Sequence, residues 1–186
     1  MNVENAQKGM RDAYLNGWPG VTVSGVVWLS AAAACLQLGT VAGIFTLFFG
    51  GMAIFPLSLV VCKALGRSGA HHKDNPLGPL ALETTVLLFG GLVIAFGVSQ
   101  LNPHLFFPVM LITIGCRYLM FQTLYGLKQY WLLGALLALS GAALVFLPTE
   151  PVRAALTGGI IEVVLGIWFL RASWLQSEAD PASDVS

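Results

Sequence analysis

The sequence predicts an all-α, polytopic membrane protein: a bundle of six transmembrane helices with N- and C-termini cytoplasmic and a short amphipathic helix ahead of the first span. Three observations predict it. The composition is 56% hydrophobic and only 10% charged, and the mean hydropathy is +0.79, beyond what the water-facing surface of a chain this size carries. Apolar runs of about 20 residues, the length a helix needs to cross hydrocarbon, recur along the chain. The cationic residues also gather on one side once those runs are laid across a membrane.

Residues 1–16 form the first unit. Val3, Ala6, Met10, Ala13 and Tyr14 recur at helical spacing, with Glu4, Lys8, Arg11 and Asp12 between them, the pattern of an amphipathic helix lying on the inner leaflet. Residues 17–172 hold the spans, which fall at Trp18 to Gln37, Thr40 to Leu65, Pro79 to Leu101, His104 to Gln122, Gln129 to Leu147 and Val152 to Leu170. Leu38-Gly39, Asn102-Pro103 and Pro148-Thr149-Glu150-Pro151 are short breaker links between antiparallel neighbours. The one long loop runs from Gly66 to Pro79. Residues 173–186 make a polar acidic tail expected to be disordered. The run ending Ala31-Ala32-Ala33-Ala34-Cys35 fits a lipoprotein signal poorly, because another apolar span follows within a few residues.

With the N-terminus inside, Lys8, Arg11, Lys63, Arg67, Lys73, Lys128 and Arg171 fall on the cytoplasmic side, Arg153 falls outside and Arg117 lies within the membrane. This bias sets orientation and implies a multi-pass protein of the bacterial inner membrane. Trp18, Trp131 and Trp174 suit the interfacial belt. Lys plus Arg balances Asp plus Glu at nine each, so no basic surface marks nucleic acid, and membrane lipids are the partner implied. Cys35, Cys62 and Cys116 all lie in apolar segments, which points to packing rather than a disulfide framework.

Three spans carry double glycines, Gly50-Gly51, Gly90-Gly91 and Gly158-Gly159. The last two correspond in a three-plus-three inverted repeat, a plan found among small transporters; close helix packing explains the same pattern. Gly50, Gly51 and Pro56 share one span, and proline's missing donor together with glycine's tolerance of bending predicts a structural kink there.

The intramembrane polar residues are the candidate ligand- or ion-binding set: Glu83, Arg117, Tyr118, Gln122, Tyr125 and Glu162. Glu83 and Arg117 each lie about 7 Å from the inner ends of adjacent antiparallel spans, at 1.5 Å per residue. An ion pair between them is an economical way to keep both charges in the inner leaflet; independent snorkelling to headgroups is the alternative. Arg117, Tyr118, Gln122 and Tyr125 form one stripe at three-to-four spacing, facing either a wet vestibule or a structural hydrogen-bond network. Glu162 lies about 15 Å from either end of the last span, too deep to snorkel. Gly158, Glu162 and Gly166 stand at i, i+4 and i+8, so the carboxyl shares a face with small residues that admit a neighbouring helix.

Other chemistry is thinly represented. His71, His72 and Asp74 lack the spacing of a metal site, so no metal and no cofactor is expected. No nucleophile elbow or phosphate-cradling loop is present, and Ser30, Thr84, Thr85 and Ser99 have no sequence-adjacent base.

At FFGGMAIFPLSLVVCKALGR, followed by KDNPLGPLALE, the chain resembles a small uncharacterised family of bacterial six-helix membrane proteins, a domain of unknown function. The matching elements are the Gly50-Gly51 to Pro56 segment and Asn75-Pro76-Leu77-Gly78. The resemblance implies a polytopic fold and no activity. From the residues themselves, the expectation is a transporter-like homodimer that binds a small polar or anionic substrate in a cavity near Glu83, Arg117, Tyr118, Gln122 and Glu162. Glu162 would be its proton or cation site. A non-transporting lipid-binding or sensory module is the alternative, and an intramembrane lipid-acting enzyme the third reading.

Overall fold

The computed structural model describes residues 2–147 and 149–179. Among them the chain is all helical: α1 (Val3–Tyr14), α2 (Trp18–Leu38), α3 (Thr40–Ala64), α4 (Gly78–Leu101), α5 (Phe106–Tyr125), α6 (Gln129–Phe146) and α7 (Pro151–Ala179). The six helices α2 to α7 are long and apolar enough to span a membrane. Successive crossings alternate in direction, so the start of α2 and the end of α7 share one end of the bundle, here the terminal end.

The breaks between helices follow local chemistry. Gly39, at φ 92°, stops α2 while its N–H reaches the Cys35 carbonyl, and Gly126, at φ 70°, closes α5 with its N–H on Gln122 O at 2.7 Å. Both use backbone space that side chains disfavour. The Asn102 side chain accepts from the N–H of His104 and opens the short turn before α5.

The first helix is amphipathic as the periodicity predicts, but its apolar stripe faces protein. Ala6, Met10 and Ala13 are buried within the bundle. Gln7 Nε2 donates to Thr123 O at 2.8 Å and Arg11 Nη1 to Tyr125 O at 2.6 Å. These are carbonyls of the last turn of α5, left without helical partners and carrying the negative end of its dipole. The long loop closes over the same helix: Asn75 Nδ2 donates to Ala6 O, the Gly69 N–H to Ala13 O, and Tyr14 Oη meets His71 Nδ1 at 2.9 Å. The contacts with α5 and the loop account for the buried stripe of α1. Between α1 and α2, Leu15, Asn16 and Gly17 all take positive φ, and Tyr130 Oη donates to Asn16 O at 2.8 Å.

Helix α2 packs mainly on α7 and α3, and α5 on α6 and α4. Glycines set these approaches. A Cβ on Gly159 would lie 2.6 Å from Leu29 Cδ2, and one on Gly115 would lie 2.7 Å from the Gly134 carbonyl. Trp28, Phe106, Phe107, Leu111, Tyr130, Leu133, Leu137 and Phe169 fill the centre. Helices α3 and α4 are flanking, turning Phe45, Phe49, Met52 and Phe55, and Leu82, Val86, Phe89 and Val93, outward.

Helix α3 is helical throughout from Thr40 to Ala64, with Gly50, Gly51 and Pro56 inside it. Gly50 admits Val27 of α2, whose Cγ1 would lie 2.6 Å from a Cβ there. Helix α7 continues to Ala179, so the polar segment beginning at 173 starts as helix; residues 180–186 lie outside the described residues.

Candidate functional site

Glu162 stands eleven residues into α7, about 16 Å along its axis, and is completely enclosed. Antiparallel α2 lies against it. A Cβ on Gly25 would come within 3.1 Å of Glu162 Cβ and 2.8 Å of the Val163 backbone nitrogen. One turn on, Trp28 covers Gly158, and toward the terminal end Thr22 abuts Gly166. The face marked by Gly158, Glu162 and Gly166 is thus an α2 contact.

The carboxyl is faced by Ser24 of α2 and by Tyr118 and Arg117 of α5. Neither Oε1 nor Oε2 completes a hydrogen bond of normal geometry. Span hydroxyls such as Thr22, Thr46, Thr113 and Thr157 donate to the carbonyl four residues back in their own helix, whereas buried Ser24 turns toward the carboxyl. Two further buried atoms lack partners, Arg117 Nε and Trp28 Nε1. Burying a charge at mid-span costs about 3 kcal/mol on insertion scales, and an unmatched polar group adds to instability. The unpartnered polar atoms therefore concentrate on the facing surfaces of α2, α5 and α7.

Tyr118 begins an aromatic column that leads from Glu162 to the terminal end. It stacks on Tyr130 with centroids 6.1 Å apart, and Tyr130 stacks on Tyr125 at 5.3 Å. Phe169 and Phe121 meet Tyr130 edge-on. The column ends at backbone bonds already described, Tyr130 to Asn16 and Arg11 to Tyr125. Arg117 is half-buried, its guanidinium carbon 5.2 Å from the Phe121 ring centroid.

The remaining sequence candidates separate. Glu83 is exposed and does not pair with Arg117; the one ion pair among the described residues joins His72 and Asp74 on the surface. The reason is rotation: the protein-facing side of α4 carries Thr84, Ala95 and Ser99, and one residue turns a helix by about 100°. Gln122 sits half-buried at the bundle edge, its backbone carbonyl capped by Gly126. Gly51 meets nothing, and Pro56 interrupts only its own helix's bonding. Among the described residues no group of three His, Cys, Asp or Glu could hold a metal. Glu162 is packed between helices, while the two described cavities lie at the two ends of the bundle.

Ser24, Trp28 and Tyr130 escaped the sequence reading. Ser24-Gly25 in an otherwise apolar span is the signal that could have found the first. A family model matches residues 3–172. The chain belongs to the Family of unknown function (DUF7010). No curated protein and no solved structure matches it. As a DUF7010 member it inherits a fold-level relationship and no assigned chemistry, so the roles of Glu162, Tyr118 and Arg117 rest on geometry.

Proposed function

We propose that this is a transporter-like membrane protein in which Glu162 takes up and releases a proton or small cation, and Arg117 recognises an anionic or polar ligand. The single observation behind this reading is the enclosed Glu162 carboxyl, unpartnered and faced by polar side chains from two other helices. A membrane protein keeps an expensive mid-span acid chiefly where the acid does something. Ser24 and Tyr118 can donate to the carboxylate when a slight parting of α2 from α7 lets them close, and Arg117 balances its charge from the edge.

The sidedness argument supports the same picture. Lys8, Arg11, Lys63, Arg67, Lys73, Lys128 and Arg171 all gather at the terminal end, which favours both termini in the cytoplasm of the bacterial inner membrane. Gly51, Gly90 and Gly97 are exposed with no neighbour within van der Waals range, and such uncovered glycine faces on α3 and α4 favour a homodimer. The test is purified protein in liposomes with an enclosed pH dye and a panel of organic anions. Glu162→Gln should abolish coupled flux while the variant remains folded. Unchanged flux in that variant would falsify the coupling role.

A second reading, a non-transporting lipid-binding or sensory module, is favoured by Arg117 lying at the bundle edge with an unpartnered Nε. Absence of any flux, with a lipid retained by the wild type and lost on Arg117→Ala, would establish it over transport.

A further inference from the structure

We propose that the terminal end carries a site for the phosphate of an anionic phospholipid headgroup, set between the α1–α2 junction, the end of α3 and the last turns of α7. A cavity of about 370 Å³ opens there, lined by Arg11, Arg67, Trp18, Trp174, Leu15 and Leu65 among others. Its size falls within the range of about 300–1,000 Å³ typical of small-molecule sites. The lining separates by chemistry. Two guanidiniums supply forked donors that match phosphate oxygens, while Leu15 and Leu65 offer an apolar wall suited to the first acyl carbons. Trp18 and Trp174 flank it, residues that settle at the level where headgroups meet hydrocarbon.

The two arginines are held differently, and the difference matters. Arg11 is anchored by its Nη1 bond to Tyr125 O, which orients the guanidinium and leaves its other donors for a ligand. Arg67 is exposed, carried on a turn whose backbone N–H bonds Cys62 O at 2.9 Å. Asp12 also lines the cavity, so the local charge is one net positive, enough for one phosphodiester rather than a polyanion. Lys8, Lys63 and Arg171 lie at the same end and deepen the attraction for an anionic leaflet. A water-soluble phosphate would use the arginines equally well. The paired indoles and the leucine wall favour the lipid.

The site does not involve Glu162, so it stands or falls independently of transport. The experiment is native mass spectrometry of the full chain in detergent, with phosphatidylglycerol or phosphatidylcholine added at equal concentration. The wild type should retain one phosphatidylglycerol per chain in clear preference to phosphatidylcholine. Arg67→Ala, which removes an exposed side chain and leaves the circular dichroism spectrum and melting midpoint unchanged, should weaken that retention by about tenfold, the worth of one charged hydrogen bond. Arg11→Lys, which keeps the charge and a donor for Tyr125, should weaken it less. Equal retention of the two lipids, retention unaffected by Arg67→Ala, or displacement of the lipid by millimolar inorganic phosphate would each overturn the assignment.

Discussion

Gly25 of α2 and Glu162 of α7 lie so close that a methyl group on the first would stand 3.1 Å from the Cβ of the second and 2.8 Å from the backbone of Val163. Backbone cannot swing aside as a long side chain can. Gly25→Ala should therefore force the two helices apart and lower stability by about 1–3 kcal/mol, the usual cost of overpacking. Unfolding in a denaturing detergent titration checks this; an unchanged midpoint would mean that α2 and α7 are not in register as described.

Glu162→Gln preserves shape and removes the charge. Because neither carboxyl oxygen holds a partner in place, the variant should be no less stable than the wild type, and more stable to the extent that an unmatched charge was being buried. The same detergent titration reads the result. A loss of more than about 1 kcal/mol, the net worth of a typical hydrogen bond, would instead make Glu162 a structural tie.

Arg11→Ala should release α1. It deletes a charged hydrogen bond to Tyr125 O, worth about 1.5–3 kcal/mol, and leaves that carbonyl without a cap. Amide hydrogen exchange across residues 3–14 should accelerate strongly, with exchange in α2 and α7 little changed. Exchange that stays slow would show that the buried stripe of Ala6, Met10 and Ala13 suffices alone.

Gly126→Ala attacks the same joint from the other side. The position sits at positive φ, and an added Cβ would collide with Gln7 and press on Arg11 Nη1. The left-handed backbone costs an alanine about 1–2 kcal/mol, and the collision adds to it. Protease sensitivity of the first sixteen residues should rise with a fall in melting temperature; normal resistance would argue against α1 docking on α5.

The orientation of α4 makes a paired prediction. Glu83→Gln should change stability by less than about 0.5 kcal/mol, as for an ordinary exposed position. Thr84→Phe, at a site with no exposure, should destabilise clearly through overpacking. The reverse ranking, measured by thermal melts in detergent, would restore the Glu83–Arg117 pair.

How much of this was legible beforehand depends on which coordinate a residue's place requires. Depth along a helix follows from counting, so the six spans and the mid-span position of Glu162 could be read directly. Azimuth does not follow, because α2 to α7 are apolar nearly all round and no periodicity says which side meets protein. Glu83 was misplaced for that reason, at the right depth on the wrong face. Tyr118 and Arg117 were drawn toward Glu162 because polar groups leave lipid wherever they can. Ser24 was missed because a serine in a membrane helix normally satisfies itself on its own backbone. The amphipathic pattern of α1 marks an apolar face without distinguishing a lipid surface from a protein one.

The pairing of α2 with α7 has a consequence for how the protein is made. Among the six described spans these are the first and the sixth, so as helices enter the membrane in order, α2 waits for its most extensive partner until α7 has been inserted. Until then Ser24, Gly25 and Trp28 lack the surface that covers them in the bundle. The Glu162 site therefore comes into existence only when α7 joins α2 and α5.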